Sequence, residues 1–92
     1  MTDFDPARPY RCCPKVALRP EPFGALAYHF STRRLSFLKT HQLVEVVRTL
    51  ESHVDVHATL AAAGVAEGQR AAYLAALAGL AENGTIEERA AG

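Results

Sequence analysis

Between Phe23 and Phe30 the chain alternates: Leu26, Tyr28 and Phe30 fall on one side, Ala25, Ala27 and His29 on the other. That period of two marks a β-strand. Arg34 to Leu38 alternates again, with Leu35 and Phe37 sharing a face. Two bulky, β-favouring runs separated by Ser31-Thr32-Arg33 predict an antiparallel hairpin. Upstream, Val16-Ala17-Leu18-Arg19 predicts a short strand that stops at Pro20-Glu21-Pro22, where proline cannot continue a ladder. After Lys39 the period changes. Leu43, Val46, Val47 and Leu50 recur at three- and four-residue spacing behind Thr40, a good N-cap, and predict a helix to about Ser52. Asp55 caps a second, short helix carrying Val56, Leu60 and Ala61, and Gly64-Val65 supplies a left-handed stop. A third helix is predicted from Gln69 to Glu82, with Tyr73, Leu74, Leu77, Leu80 and Ala81 as its apolar stripe and Asn83-Gly84 as its end. Ile86 is expected to pack back on the sheet.

The order of three strands and three helices predicts an α+β fold: a three-stranded antiparallel sheet followed by a trihelical cluster, with the last two helices as a helix-turn-helix. This is a winged helix-turn-helix arrangement, with the wing at the N-terminal end. Residues 1–14 hold Pro6, Pro9 and Pro14, which interrupt regular structure, and are expected to form a flexible arm anchored at most by Phe4 and Tyr10. The folded domain is expected over 15–87, followed by a tail over 88–92, and Glu87-Glu88 at that boundary reads as solvated charge.

Composition narrows the function. Ninety-two residues make one small domain, with a stability margin of about 5 kcal/mol. Ten basic and ten acidic residues cancel, which argues against general nucleic-acid binding, where affinity comes largely from neutralising phosphates. Charge is nonetheless clustered: Arg33, Arg34 and Lys39 stand together, and Arg8, Arg11, Lys15 and Arg19 lie upstream. A basic patch on a neutral domain suits an acidic peptide. No signal peptide is visible and no apolar run is long enough to span a bilayer, so a cytosolic protein without membrane contact is expected. Adjacent Cys12 and Cys13 read as reduced thiols. No nucleophile motif, phosphate loop or paired-carboxylate spacing appears. His53 and His57 are four apart, but Asp55 breaks the helix between them, so neither a metal site nor a cofactor is expected. The strand Arg34–Leu38 and its flanks are the one feature equipped for recognition: an edge strand can pair its backbone with an extended guest.

The runs Leu18-Arg19-Pro20-Glu21-Pro22-Phe23-Gly24-Ala25-Leu26, Tyr28-His29-Phe30 and Arg33-Arg34-Leu35-Ser36-Phe37-Leu38, with Leu43-Val44-Glu45-Val46-Val47 and Tyr73-Leu74-Ala75-Ala76-Leu77, resemble the mycofactocin precursor-peptide chaperones over about residues 16–86. That family belongs to the wider class of peptide-recognition elements typified by the pyrroloquinoline-quinone chaperone. The resemblance implies a non-catalytic carrier that binds the leader of a ribosomally made precursor peptide and presents it to a radical S-adenosylmethionine maturase. It implies a leader added to the third strand beside the third helix. The peptide-binding residues would then be Arg33, Arg34, Leu35, Ser36, Phe37, Leu38 and Lys39 on the strand, and Arg70, Tyr73, Leu74 and Leu77 on the helix. Cys12-Cys13 matches no motif of that family.

A small winged-helix DNA-binding regulator is the alternative, but its recognition helix needs Arg, Lys, Asn or Gln toward the bases. The third helix offers only Gln69 and Arg70 before turning to alanine and leucine. An open edge can also pair with its own copy, giving a symmetric homodimer when no peptide is bound.

Overall fold

The structure is a computed structural model and describes residues 4–89. Expectations for residues 1–3 and 90–92 lie outside the described residues. Five strands and three helices follow in the order β1 (Tyr10–Cys12), β2 (Val16–Glu21), β3 (Gly24–His29), β4 (Leu35–Leu38), α1 (His41–Thr49), α2 (Val56–Ala62), α3 (Arg70–Glu82) and β5 (Ile86–Glu88). Short 3-10 turns, Leu50–Ser52 and Glu67–Gln69, extend α1 and lead into α3. The fold is α+β, with the expected antiparallel sheet β2-β3-β4 and three helices.

β2 does not stop at Arg19. It continues through Pro20, opposite Ala25, to Glu21, opposite Gly24. Proline is accepted because β2 is an edge strand. The two-residue turn Pro22-Phe23 makes Glu21–Gly24 the hydrogen-bonded closing pair, so position 20 would aim its N–H away from β3. Gly24 is required by a close approach: a Cβ there would lie 2.2 Å from the Leu38 carbonyl oxygen. The β3–β4 hairpin closes through Arg33, whose φ of 61° is left-handed and whose amide donates to the His29 carbonyl at 2.7 Å.

Helix ends follow the local chemistry. Thr40 Oγ1 accepts from the Leu43 amide at 3.0 Å, and Asp55 Oδ1 from the Ala58 amide at 2.8 Å. Gly64 at φ 75° and Gly84 at φ 83° turn the chain out of α2 and α3, as left-handed C-terminal stops do.

The core lies between the sheet and the helices. Ala25, Ala27 and Leu38 face inward with Val46, Val47, Leu50, Val56, Leu60, Leu77 and Ile86, all essentially inaccessible. A fully buried aliphatic side chain contributes about 1.5–3 kcal/mol. The two alanines of β3 let α1 lie close against the strand.

The N-terminal segment departs from expectation. Tyr10–Cys12 is a strand, paired with β5 in the register Tyr10–Glu88, Arg11–Glu87 and Cys12–Ile86. Tyr10 is buried, with the Phe4 ring 5.1 Å from its own, and its hydroxyl accepts from the Asp5 amide at 3.1 Å. Ile86 packs in the core from this second sheet rather than from the first. Glu87 and Glu88 are likewise not free charge: Arg11 holds Glu87 at 2.6 Å and Arg8 holds Glu88 at 2.7 Å.

Candidate functional site

β4 is an edge. Among the described residues it pairs only with β3, through Leu38–Ala25, Phe37–Leu26, Ser36–Ala27 and Leu35–Tyr28. The His29 amide donates to the Arg34 carbonyl at 2.9 Å, which fixes the phase of the ladder. Hydrogen-bonded and non-hydrogen-bonded pairs alternate along antiparallel strands. Ser36 and Leu38 therefore turn their backbone groups toward β3, as Arg34 does with its carbonyl while its amide donates to Thr32 Oγ1 at 3.3 Å, and Leu35 and Phe37 present N–H and C=O outward. Side chains alternate too: Ser36 and Leu38 are buried toward the helices, Leu35 and Phe37 exposed on the outer sheet face.

A cleft of about 650 Å³ runs beside this edge, between Ser36, Phe37 and Lys39 on one side and Ala76, Gly79, Leu80 and Asn83 of α3 and its end on the other. It continues into a second hollow of about 610 Å³ lined by Thr32, Arg34, Gly79, Glu82, Asn83 and Gly84. The groove thus follows β4 from Lys39 to Arg34. Its helical wall is the stripe Ala76, Gly79/Leu80, Asn83, three and four residues apart. Glycine at 79 leaves it open: an added Cβ would meet nothing within 4 Å.

Of the residues expected on the helical wall, none lines the cleft. Leu77 is fully buried in the core, and Leu74 packs against that core, half-buried. The Tyr73 hydroxyl is engaged with Thr40 Oγ1 at 2.9 Å and donates to Gln42 Oε1 at 3.3 Å. Arg70 begins α3, about 13 Å along the helix from Gly79 at 1.5 Å per residue, with its buried Nε unpartnered among the described residues. On the strand, Leu38 has no exposed side chain, so it can offer a guest nothing beyond shape. The stripe that does form the wall was legible only as a density of small residues.

The groove is held at its width by a polar clamp. Asn83 Nδ2 donates to Ser36 Oγ at 2.8 Å, and Asn83 Oδ1 accepts from the Thr85 amide at 3.0 Å and hydroxyl at 2.6 Å. β4 is thereby tied to the end of α3. Arg33, Arg34 and Lys39 are exposed at the edge, and among the described residues none forms an ion pair. The upstream cations Arg8, Arg11 and Arg19 are held by carboxylates instead.

The exposed side of α3 is Ala71, Ala72, Ala75, Ala76 and Gly79, with Glu82 at its end, and offers no cation or amide side chain to read a base edge. His29 is buried, its Nδ1 accepting from the Ser31 and Thr32 amides at 3.2 and 3.3 Å and its Nε2 3.7 Å from Cys13 Sγ. Burial pushes the Cys12 thiol up from its ordinary value. Among the described residues no three or more His, Cys, Asp or Glu side chains are grouped to hold a metal ion, and no helix is long and apolar enough to cross a membrane.

Comparison with known proteins adds a family. The peptide chaperone MftB family matches residues 9–87. A peptide chaperone MftB of Mycolicibacterium smegmatis is 53% identical over 83 residues, covering 90% of this chain and 81% of that one. The protein of the same name from Mycobacterium ulcerans is 55% identical over 78 residues, with 85% and 72% covered. That of Mycobacterium tuberculosis is 47% identical over 88 residues, with 96% and 81% covered. No solved structure matches. With its first strand, its edge and all three helices inside the matched span, the chain belongs to the peptide chaperone MftB family.

Proposed function

We propose that this protein is a non-catalytic peptide chaperone of mycofactocin biosynthesis, which takes the leader of the precursor peptide as an added strand on β4 and presents it to a radical S-adenosylmethionine maturase. The observation that carries this reading is the outward row of Leu35 and Phe37 backbone groups running beside the cleft over Gly79. Family membership and the names of the relatives support it.

The physical account is β-augmentation. Two residues offer four backbone hydrogen bonds at about 1 kcal/mol net each. A leader side chain lowered into the cleft against Ala76, Gly79 and Leu80 adds about 2 kcal/mol when fully buried. Two such anchors, less about 2–5 kcal/mol for ordering the peptide, leave about 3–6 kcal/mol, roughly millimolar to tens-of-micromolar binding before ion pairs with the leader are counted. Arg33, Arg34 and Lys39 supply those pairs to an acidic leader, and as rim charges they govern on-rate and salt dependence. The peptide wall is assigned to Ala76, Gly79 and Asn83.

The test is a titration of an acidic precursor leader into isotope-labelled protein. Amide signals of residues 33–39 and 76–83 are expected to move together, with none moving when duplex DNA is added at low salt. Shifts confined to other elements would remove the site. Sedimentation of the peptide-free protein tests the alternative use of the same edge, pairing between two copies.

A further inference from the structure

The face of the sheet turned away from the helices is apolar, and of its large side chains only Phe37 also borders the groove. Phe23, Tyr28, Phe30, Leu35 and Phe37 stand there at 41%, 39%, 58%, 53% and 56% exposure. They form one surface. Phe23 stacks on Phe37 with ring centres 6.1 Å apart and planes 15° apart; Phe37 lies opposite Leu26 and Leu35 opposite Tyr28 across the hairpin; Tyr28 meets Phe30 edge-on at 5.7 Å. With about 200 Å² for each full side chain, roughly 500 Å² of apolar surface is exposed. That is at the upper end of the largest patch on an ordinary monomer, where such patches mark interaction sites.

Charge around the patch is predominantly positive. Lys15, Arg19, Arg33 and Lys39 are exposed along its borders, and Arg34 lies beyond the edge in the hollow next to Gly79. Among the described residues only Arg19 has an ion-pair partner, Glu21 at 3.4 Å. The neutral protein is thus unevenly charged, with an excess of cations around the outer sheet face and an excess of carboxylates on the helical side, where Glu45, Glu51, Glu67 and Glu82 outnumber Arg48 and Arg70.

We propose that this outer sheet face is the docking surface for the maturase that receives the leader, against an apolar surface rimmed by carboxylates. The inference rests on the function proposed above, since it assigns a second face to the same carrier. A second copy of this chain fits less well. Two copies face to face would set like-charged rims against each other, and roughly 500 Å² from each falls short of the ~800 Å² per partner typical of stable interfaces. Head-to-tail packing lacks an apolar counterpart, since the only large apolar side chain exposed elsewhere among the described residues is Val54. An anionic bilayer matches the charge, but the rings are braced against one another on rigid strands, a fixed relief suited to a complementary solid surface.

Position favours the maturase. A guest strand added to β4 lies about 4.8 Å from it and turns every second side chain onto this outer face, beside Leu35 and Phe37. A partner seated there touches carrier and guest together. Leader binding therefore raises maturase affinity, and the reverse by the same factor.

The experiment measures affinity of the purified maturase for the full chain, with and without leader, in wild type, Phe30→Ser, the double variant Tyr28→Ser/Phe30→Ser, and Arg19→Glu. Maturase affinity is expected to fall at least tenfold in the double variant and to lose salt dependence in Arg19→Glu, with leader affinity within twofold of wild type. Circular dichroism reports folding; if the double variant unfolds, Phe30→Ser alone carries the test, with a loss of at least threefold. Maturase affinity unchanged in a folded variant overturns the proposal. So does a wild-type dimer in sedimentation that Phe30→Ser dissolves, or binding to vesicles of 30% phosphatidylglycerol in phosphatidylcholine that the variant abolishes. If wild type fails to bind leader yet loses the maturase in these variants, the docking face stands and the carrier function falls.

Discussion

Replacing Leu35 by proline tests the edge directly, because the ladder's phase makes position 35 different from its neighbour. Leu35 turns its N–H away from β3, and its side chain is 53% exposed. Proline there removes no hydrogen bond of the folded protein, and edge strands accept it, so the expected loss of stability is below about 1 kcal/mol. Ser36→Pro one residue along removes a bond to Ala27 and displaces a hydroxyl bonded to Asn83, so it should cost about 3 kcal/mol. For the leader the order reverses. At Leu35→Pro a guest carbonyl loses its donor and is left facing a ring, a penalty of about 1–3 kcal/mol, which is about 5- to 150-fold in affinity. Leu35→Ser keeps the N–H and removes the side chain, separating the two contributions. Calorimetric titration of leader into each variant, with urea melts alongside, gives both numbers. A folded Leu35→Pro protein that binds leader as wild type does would refute strand addition at β4.

Gly79→Leu should raise thermal stability, since glycine is about 1 kcal/mol worse than leucine inside a helix, while filling the cleft and weakening leader binding about tenfold; a melting curve and a titration check the opposed signs. Gly24→Ala would place a methyl group 2.2 Å from the Leu38 carbonyl, so β3 and β4 must separate, and chemical denaturation should show a loss of about 3 kcal/mol. Asn83→Ala removes the donor to Ser36 and the acceptor for Thr85; a loss of about 2 kcal/mol with faster amide exchange in β4 is expected. Burial first, then Cys13, Glu51 and Glu87, raises the Cys12 thiol. A folded state that holds this proton more tightly than the unfolded chain has its full stability below the unfolded pKa and loses it as pH rises above about 8.5 through the folded value. Cys12→Ala should flatten that alkaline decline in urea midpoint, and an unchanged slope would count against it.

The division between the two faces of the sheet has a simple origin. β3 puts Ala25 and Ala27 against the helices, where α1 needs room, and so Tyr28, half-buried Leu26 and, just past the strand, Phe30 are left on the outside. Alternation alone separates these two sets without saying which is the core. The larger set is not the buried one here. Helix packing distance decided it, and it left an aromatic surface beside an open sheet edge.

The sequence by itself determined what is local. Period-two and period-three-to-four patterns located the β3–β4 hairpin and all three helices, and Thr40, Asp55, Gly64 and Gly84 set their ends through chemistry confined to a few residues. That Leu35–Leu38 forms a strand was legible for the same reason. Three decisions needed the tertiary structure. Tyr10–Cys12 and Ile86–Glu88 are strands of three residues, too short for any period, and each is ordered by a partner some 76 residues away. Pro20 stays in β2 because that strand is an edge, a property of neighbours rather than of the proline. The helical wall of the groove passed from Tyr73, Leu74 and Leu77 to Ala76, Gly79 and Asn83 because only packing fixes which stripe of an alanine-rich helix meets the core. An apolar pattern shows which residues want to be covered; the arrangement of the other elements decides what is left open.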